Sequence, residues 1–161
     1  MSASFTESWL IGPAGTEFYT RTYSPTFAAK AVLIFIHGFI GLSMQPVDQK
    51  NNKCSSIIVE HIARYEHVFP SYARRDIAVF AFDQRGFGRT ALDPGVDGKR
   101  RQERVSRKEG YGRTSSEQQN EDIDWALRYA GEKLAEWGKD GKTLPVFLMG
   151  HSMVSRACSS D

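Results

Sequence analysis

Three short stretches of the chain are apolar almost without interruption: Ala31–Ile36 (AVLIFI), Ile77–Phe82 (IAVFAF) and Leu144–Met149 (LPVFLM). Runs of this length, rich in β-branched and aromatic residues, suit strands covered on both faces, as in a parallel sheet. Pro145 has no N–H to give to a ladder, so it has to sit at the start of its strand. Glu17–Tyr23 (EFYTRTY) alternates instead and predicts an early, exposed strand. Between the second and third apolar runs, Ser115–Trp137 carries Ile123, Ala126, Leu127, Ala130, Leu134 and Trp137 at helical spacing. Ser115 and Gln118 supply the residue types of a capping box. A second helix is predicted over Arg64–Arg75, with Pro70 tolerated only in its first turn.

Buried strands alternating with helices predict an α/β fold with a mainly parallel sheet. Two stretches fit no element. Gly41–Val59 is long and aperiodic, far above the usual connection length, and is expected to be an unstructured insertion. Pro94–Lys108 is a basic loop; with no aromatic side chains interleaved for stacking, it reads as solvated and not as a nucleic-acid patch.

Composition narrows the class. A chain of 161 residues, 40% hydrophobic and 25% charged, has room for one globular domain. Its net charge of +2 demands neither nucleic acid nor an anionic membrane. Two cysteines, Cys54 and Cys158, suggest no disulfide framework and no metal cage. The N-terminus has no signal-peptide pattern, and the run from Ala28 is broken by Lys30 and too short to span a bilayer. A cytoplasmic location is expected, with a lipid-droplet or membrane surface left open.

The chemistry is concentrated after the third apolar run, in Gly150-His151-Ser152-Met153-Val154. A serine hydroxyl becomes a nucleophile only where a base reaches it and oxyanion donors face the carbonyl it attacks. A tight turn from strand to helix provides that presentation, and small neighbours on both sides of the serine permit it. The first small residue is Gly150; at the second, Val154 stands where glycine is usual. A second oxyanion donor has to come from the loop after an earlier strand, and Phe35-Ile36-His37-Gly38-Phe39 occupies that place. Gly86, Gly88 and Ala91 spell a weak dinucleotide-binding echo, disfavoured because Asp93-Pro94-Gly95 and the basic loop follow where a helix is required.

Taken together, FIHGF, EHIARYEHVFPSYARRDIAVFAFDQRGFGRT, SSEQQNEDIDWAL and PVFLMGHSM resemble the monoacylglycerol-lipase-like branch of the α/β-hydrolases. That branch carries the serine aminopeptidase S33, or hydrolase-4, domain, and the likeness is strongest to its fungal members. The resemblance implies that Ser152 is the nucleophile, that the N–H groups of Phe39 and Met153 form the oxyanion hole, and that His37, Gly38, Gly150 and His151 are motif residues. It implies hydrolysis of a monoacylglycerol or similar lipid ester through an acyl-enzyme, without metal or cofactor.

In this fold the triad acid and histidine follow the serine in the chain. Asp83, His37, His61, His67 and His151 all precede it, so structural roles are expected for them. The C-terminal half and lid of the family pattern are absent, so the chain is expected to be inactive and prone to self-association. The alternative is a non-catalytic fragment or splice product acting as a decoy or interaction partner. Val154–Asp161 departs from the family pattern, and Val-Ser is the in-frame translation of a common splice-donor sequence. A splice isoform, a gene-model error and a fragment all fit that tail.

Overall fold

The apolar runs form the middle and one edge of a five-stranded sheet. The computed structural model describes residues 5–38, 60–92, 112, 114–134 and 144–151. The stretches 41–59, 94–108 and 154–161 lie outside the described residues, so the readings made on them do too. The strands are β1 (Phe5–Ile11), β2 (Glu17–Tyr23), β3 (Ala31–Ile36), β4 (Ile77–Phe82) and β5 (Val146–Gly150), in the spatial order β1-β2-β4-β3-β5. β3 runs parallel to both β4 and β5, while β1 and β2 are antiparallel additions. The expected mainly parallel α/β fold is the one observed.

β3 is buried along its whole length because both of its faces are covered. Val32, Ile34 and Ile36 point to one side, into a core with Phe80, Phe82, Ile123 and Ala126. Leu33 and Phe35 point to the other, against Ile62, Phe69 and Ala73. Full burial of one such side chain is worth about 1.5–3 kcal/mol, which is why no polar residue interrupts the run.

The covering helices come from the two crossovers. Between β3 and β4 the chain forms a 3₁₀ turn at Ile62–Tyr65 and then α1 (Phe69–Ala73). The single helix expected over Arg64–Arg75 is thus two pieces, and Pro70 lies in the first turn of the second, where its missing N–H costs nothing. On the opposite face lies α3 (Ser116–Tyr129), which continues into a π-wound turn at Ala130–Leu134. Its capping box is formed: Ser115 Oγ accepts from the Gln118 N–H at 3.2 Å, and Gln118 Oε1 accepts from the Ser115 N–H at 3.1 Å. A short helix, α2 (Gly88–Leu92), follows β4. No helix among the described residues is long and apolar enough to cross a membrane.

One expectation about exposure was inverted. β2 is buried, because β1, which the sequence pattern did not disclose, closes its outer edge while β4 pairs with the inner one. Phe18 stacks on Trp125 at 4.7 Å on the α3 side, and Tyr19 and Tyr23 sink into the other core. β5 lies at the opposite edge, paired among the described residues with β3 alone. Phe147 is 57% exposed, and Val146 and Met149 are each a little over one third exposed.

An open edge carrying apolar side chains templates pairing between chains. Expressed as 161 residues, the protein should elute above monomer size in gel filtration, and Phe147→Lys should shift it toward the monomer. An unchanged elution profile would show that β5 does not drive association.

Candidate active site

In parallel sheets, loops at the C-terminal ends of strands carry the chemistry. Here the ends of β3, β4 and β5 are level: Ile36 pairs in register with Phe82 on one side and with Gly150 on the other. The ladder extends one step past β5, where the His151 N–H donates to the Ile36 carbonyl at 3.1 Å. The motif residues His37, Gly38, Gly150 and His151 are thereby brought together. Phe39, Ser152 and Met153 lie outside the described residues, directly after the two loop entries that the sheet aligns.

His37 is completely buried and hydrogen-bonded on both sides. The backbone N–H of Gln84 donates to its Nε2 at 3.0 Å, which fixes that nitrogen as an acceptor. The proton therefore sits on Nδ1, which donates to the Gly38 carbonyl at 3.0 Å. Gln84 Nε2 also donates to the His37 carbonyl at 2.5 Å. Burial pushes the imidazole below its ordinary range, partly opposed by the charge of Asp83. With both nitrogens used, His37 is a structural post for the loop after β3, as expected.

Asp83, at the end of β4, acts as a buried acceptor. Its Oδ1 takes the Ile62 N–H at 2.8 Å and its Oδ2 the Arg89 N–H at 2.7 Å, linking the 3₁₀ turn to α2. Burial pushes its carboxyl up, while His37 and these N–H donors pull the other way. Gly88 makes this approach possible. Its φ is +50°, and a Cβ there would stand 2.2 Å from Asp83 Oδ2. The helix that the dinucleotide echo requires does exist as α2, but the side chain of Asp83 already occupies its start. That reading fails for a reason other than the one the sequence suggested.

His151 faces a second polar chain. Its Nδ1 lies 2.7 Å from Tyr65 Oη, which donates to Glu60 Oε2 at 2.9 Å, and Arg64 Nη1 donates to Glu60 Oε1 at 2.8 Å. Burial, then the bond to Glu60, raise the Tyr65 phenol above its usual value, so it stays protonated. Sequence reasoning missed Tyr65 and Gln84 altogether; neither carries a motif that would have marked it. Neither His61 nor His67 shares these hydrogen bonds, although the charge of His61 reaches His37 and Asp83. His67 instead borders a surface recess of about 530 Å³, with Phe5, Tyr23 and Arg74, toward the far end of β2.

The serine aminopeptidase S33 family matches residues 58–154, more than half of the chain. Over 78 residues, 48% of this chain, the sequence is 36% identical to an uncharacterized abhydrolase domain-containing protein of Dictyostelium discoideum, of which that stretch is 6%. A soluble variant of the monoglyceride lipase of Saccharomyces cerevisiae superposes with a TM-score of 0.62 at 18% identity, covering 93% of this chain and 36% of that one. A thermostable carboxyl esterase of Bacillus coagulans gives 0.58 at 21% identity, covering 93% and 37%. At these identities the solved structures share the fold. The chain spans little more than a third of their length.

Two predictions test the scaffold, both read by urea unfolding with tryptophan fluorescence in the Phe147→Lys background. Gly88→Ala should destabilise by about 1–3 kcal/mol, from backbone strain and the displaced Asp83 carboxylate; an unchanged midpoint would refute the close approach. The second concerns pH. Because folding lowers the pKa of His37, the unfolded chain takes up the proton first. Its stabilising contribution should be complete above about pH 6.5 and shrink as pH falls below that value. His37→Gln, whose Oε1 can still accept from Gln84, should flatten this slope; an identical pH profile would contradict the buried neutral imidazole.

Proposed function

The chain belongs to the serine aminopeptidase S33 family of α/β-hydrolases, and from that premise we propose that it carries the nucleophile half of a serine hydrolase acting on carboxylic esters of lipid-like alcohols such as monoacylglycerol. The observation that carries this reading is the register of Ile36 with Gly150. His37-Gly38-Phe39 leaves one of these adjacent parallel strands and Gly150-His151-Ser152-Met153 leaves the other, at the same level of the sheet. An oxyanion loop beside a nucleophile turn is what acyl transfer requires.

In this mechanism Ser152 Oγ attacks the ester carbonyl carbon, and the N–H groups of Phe39 and Met153 hold the oxyanion. Collapse of the tetrahedral intermediate expels the alcohol, which takes a proton, and leaves an acyl-serine. Water then attacks the acyl carbon, releasing the fatty acid and restoring the hydroxyl. Both steps need a histidine that accepts and returns the proton. No histidine follows Ser152 in the 161 residues. His37 has both nitrogens engaged, and His151 directs Nδ1 to Tyr65. With neither of these histidines free to serve Ser152, these 161 residues alone are expected to be inactive.

A second reading, a non-catalytic partner of a complete hydrolase, is favoured by one observation: the open apolar edge of β5. The two are separated by complementation. Joined to the C-terminal segment of a family hydrolase, with 41–59 and 154–161 removed, the chain should hydrolyse monoacylglycerol. Ser152→Ala should lower the rate by roughly a thousandfold or more. Failure of the joined protein to turn over any ester while folded would sink the hydrolase assignment. The 161-residue chain should release no more p-nitrophenol from a p-nitrophenyl ester than its own Ser152→Ala variant. A serine-dependent burst would overturn its inactivity.

A further inference from the structure

Tyr65 has one phenolic proton and two hydrogen-bond partners. One is Glu60, a nearly buried carboxylate also paired with Arg64, which can only accept. The phenolic proton therefore goes to Glu60 Oε2, and the face of Tyr65 Oη toward His151 offers only a lone pair. At 2.7 Å, His151 Nδ1 must then be the donor. The neutral imidazole is consequently the Nδ1–H tautomer, although His151 is exposed and solvent alone would not impose it.

The ring that receives this bond is held from several directions. Tyr65 packs on Phe35 of β3 at 4.5 Å between centroids and meets the His151 ring edge-on at 5.5 Å. The 3₁₀ turn carrying it is tied to the end of β4 through Ile62 and Asp83. His151 is thus held by its backbone to β3 and by its side chain to a bracket fixed on β4.

We propose that Tyr65 is a positioning residue for the nucleophile turn: with its proton committed to Glu60, it clamps His151, the residue before Ser152, and sets where that turn leaves the sheet. The proposal rests on Ser152 being the nucleophile, as argued above. The clamp matters because a displacement of about 1 Å at a reacting group costs on the order of a hundredfold in rate.

The test needs no turnover, so it stands apart from the hydrolase assignment. Solid-state NMR of the 161-residue chain with ¹⁵N-labelled histidine reads the tautomer directly and tolerates associated material; His→Gln variants at 61 and 67 assign the signals. His151 should show a protonated Nδ1 and a bare Nε2, the same tautomer as the buried His37. Tyr65→Phe should release His151 to a tautomer mixture and leave His37 unchanged, which certifies the fold. Glu60→Gln, which keeps an oxygen acceptor, should retain most of the Nδ1–H form. In hydrogen exchange, the His151 amide should open about tenfold faster in Tyr65→Phe, with the β3 and β4 amides unaffected. An Nε2–H tautomer in the parent chain, or no response to Tyr65→Phe in either measurement, would overturn the clamp. Either result would leave the role of Ser152 to the ester assay.

Discussion

The carboxylate of Asp83 is the constraint on which the candidate site depends. A buried carboxylate is tolerable only when its oxygens are met by donors, and here both are met by backbone N–H groups from separate elements. The backbone of the same residue continues the linkage. Its N–H donates to the Tyr19 carbonyl at 3.0 Å, and its carbonyl accepts from Thr90 Oγ1, which in turn accepts from the Tyr19 N–H. One residue thus ties β2, the end of β4, the 3₁₀ turn and α2 together. Removing the side chain would take its acceptor from the buried Ile62 N–H, at about 1–3 kcal/mol, and from the part-buried Arg89 N–H as well, a large share of the stability of a small domain.

From that hub two polar arms reach the loop entries. One runs through Gln84 to His37 and fixes the exit from β3. The other runs through Ile62 to the 3₁₀ turn, whose Tyr65 meets His151 at the exit from β5. The two histidines flank the places where oxyanion donors and nucleophile are proposed, yet neither is arranged as a base. Both share a tautomer because each donates from Nδ1 to a neighbouring oxygen, a carbonyl in one case and a phenol in the other.

Much of this was legible in the sequence. The runs at β3 and β4 matched to the residue, because a strand covered on both faces has no polar position to blur its limits. The capping box of α3 was likewise readable, since Ser115 and Gln118 need only their own local backbone. What stayed hidden depended on distant partners. β1 alternates weakly, because Glu7, though exposed, stands on the same face as Phe5 and Trp9, where it meets Arg21 and Tyr19. The split of the helix around Pro70 was half visible, and the turn before it was not. The residues of the loop motifs stood out, but the Tyr65 contact spans 86 positions and has no local signature.

The pairing of β3 with β5 has a kinetic consequence. Val32 meets Val146 across 114 positions of chain (146 − 32), whereas β1 and β2 are joined by a tight turn and β3 and β4 by a moderate crossover. Loop-closure entropy grows with separation, and long-range parallel pairing is slow to reward it. β5 is therefore the strand that joins late, onto a sheet whose other members are already in contact. The Ile36–His151 ladder bond and the Tyr65 contact form only at that step. On that order of events the exit from β3 is in place before the exit from β5 arrives beside it.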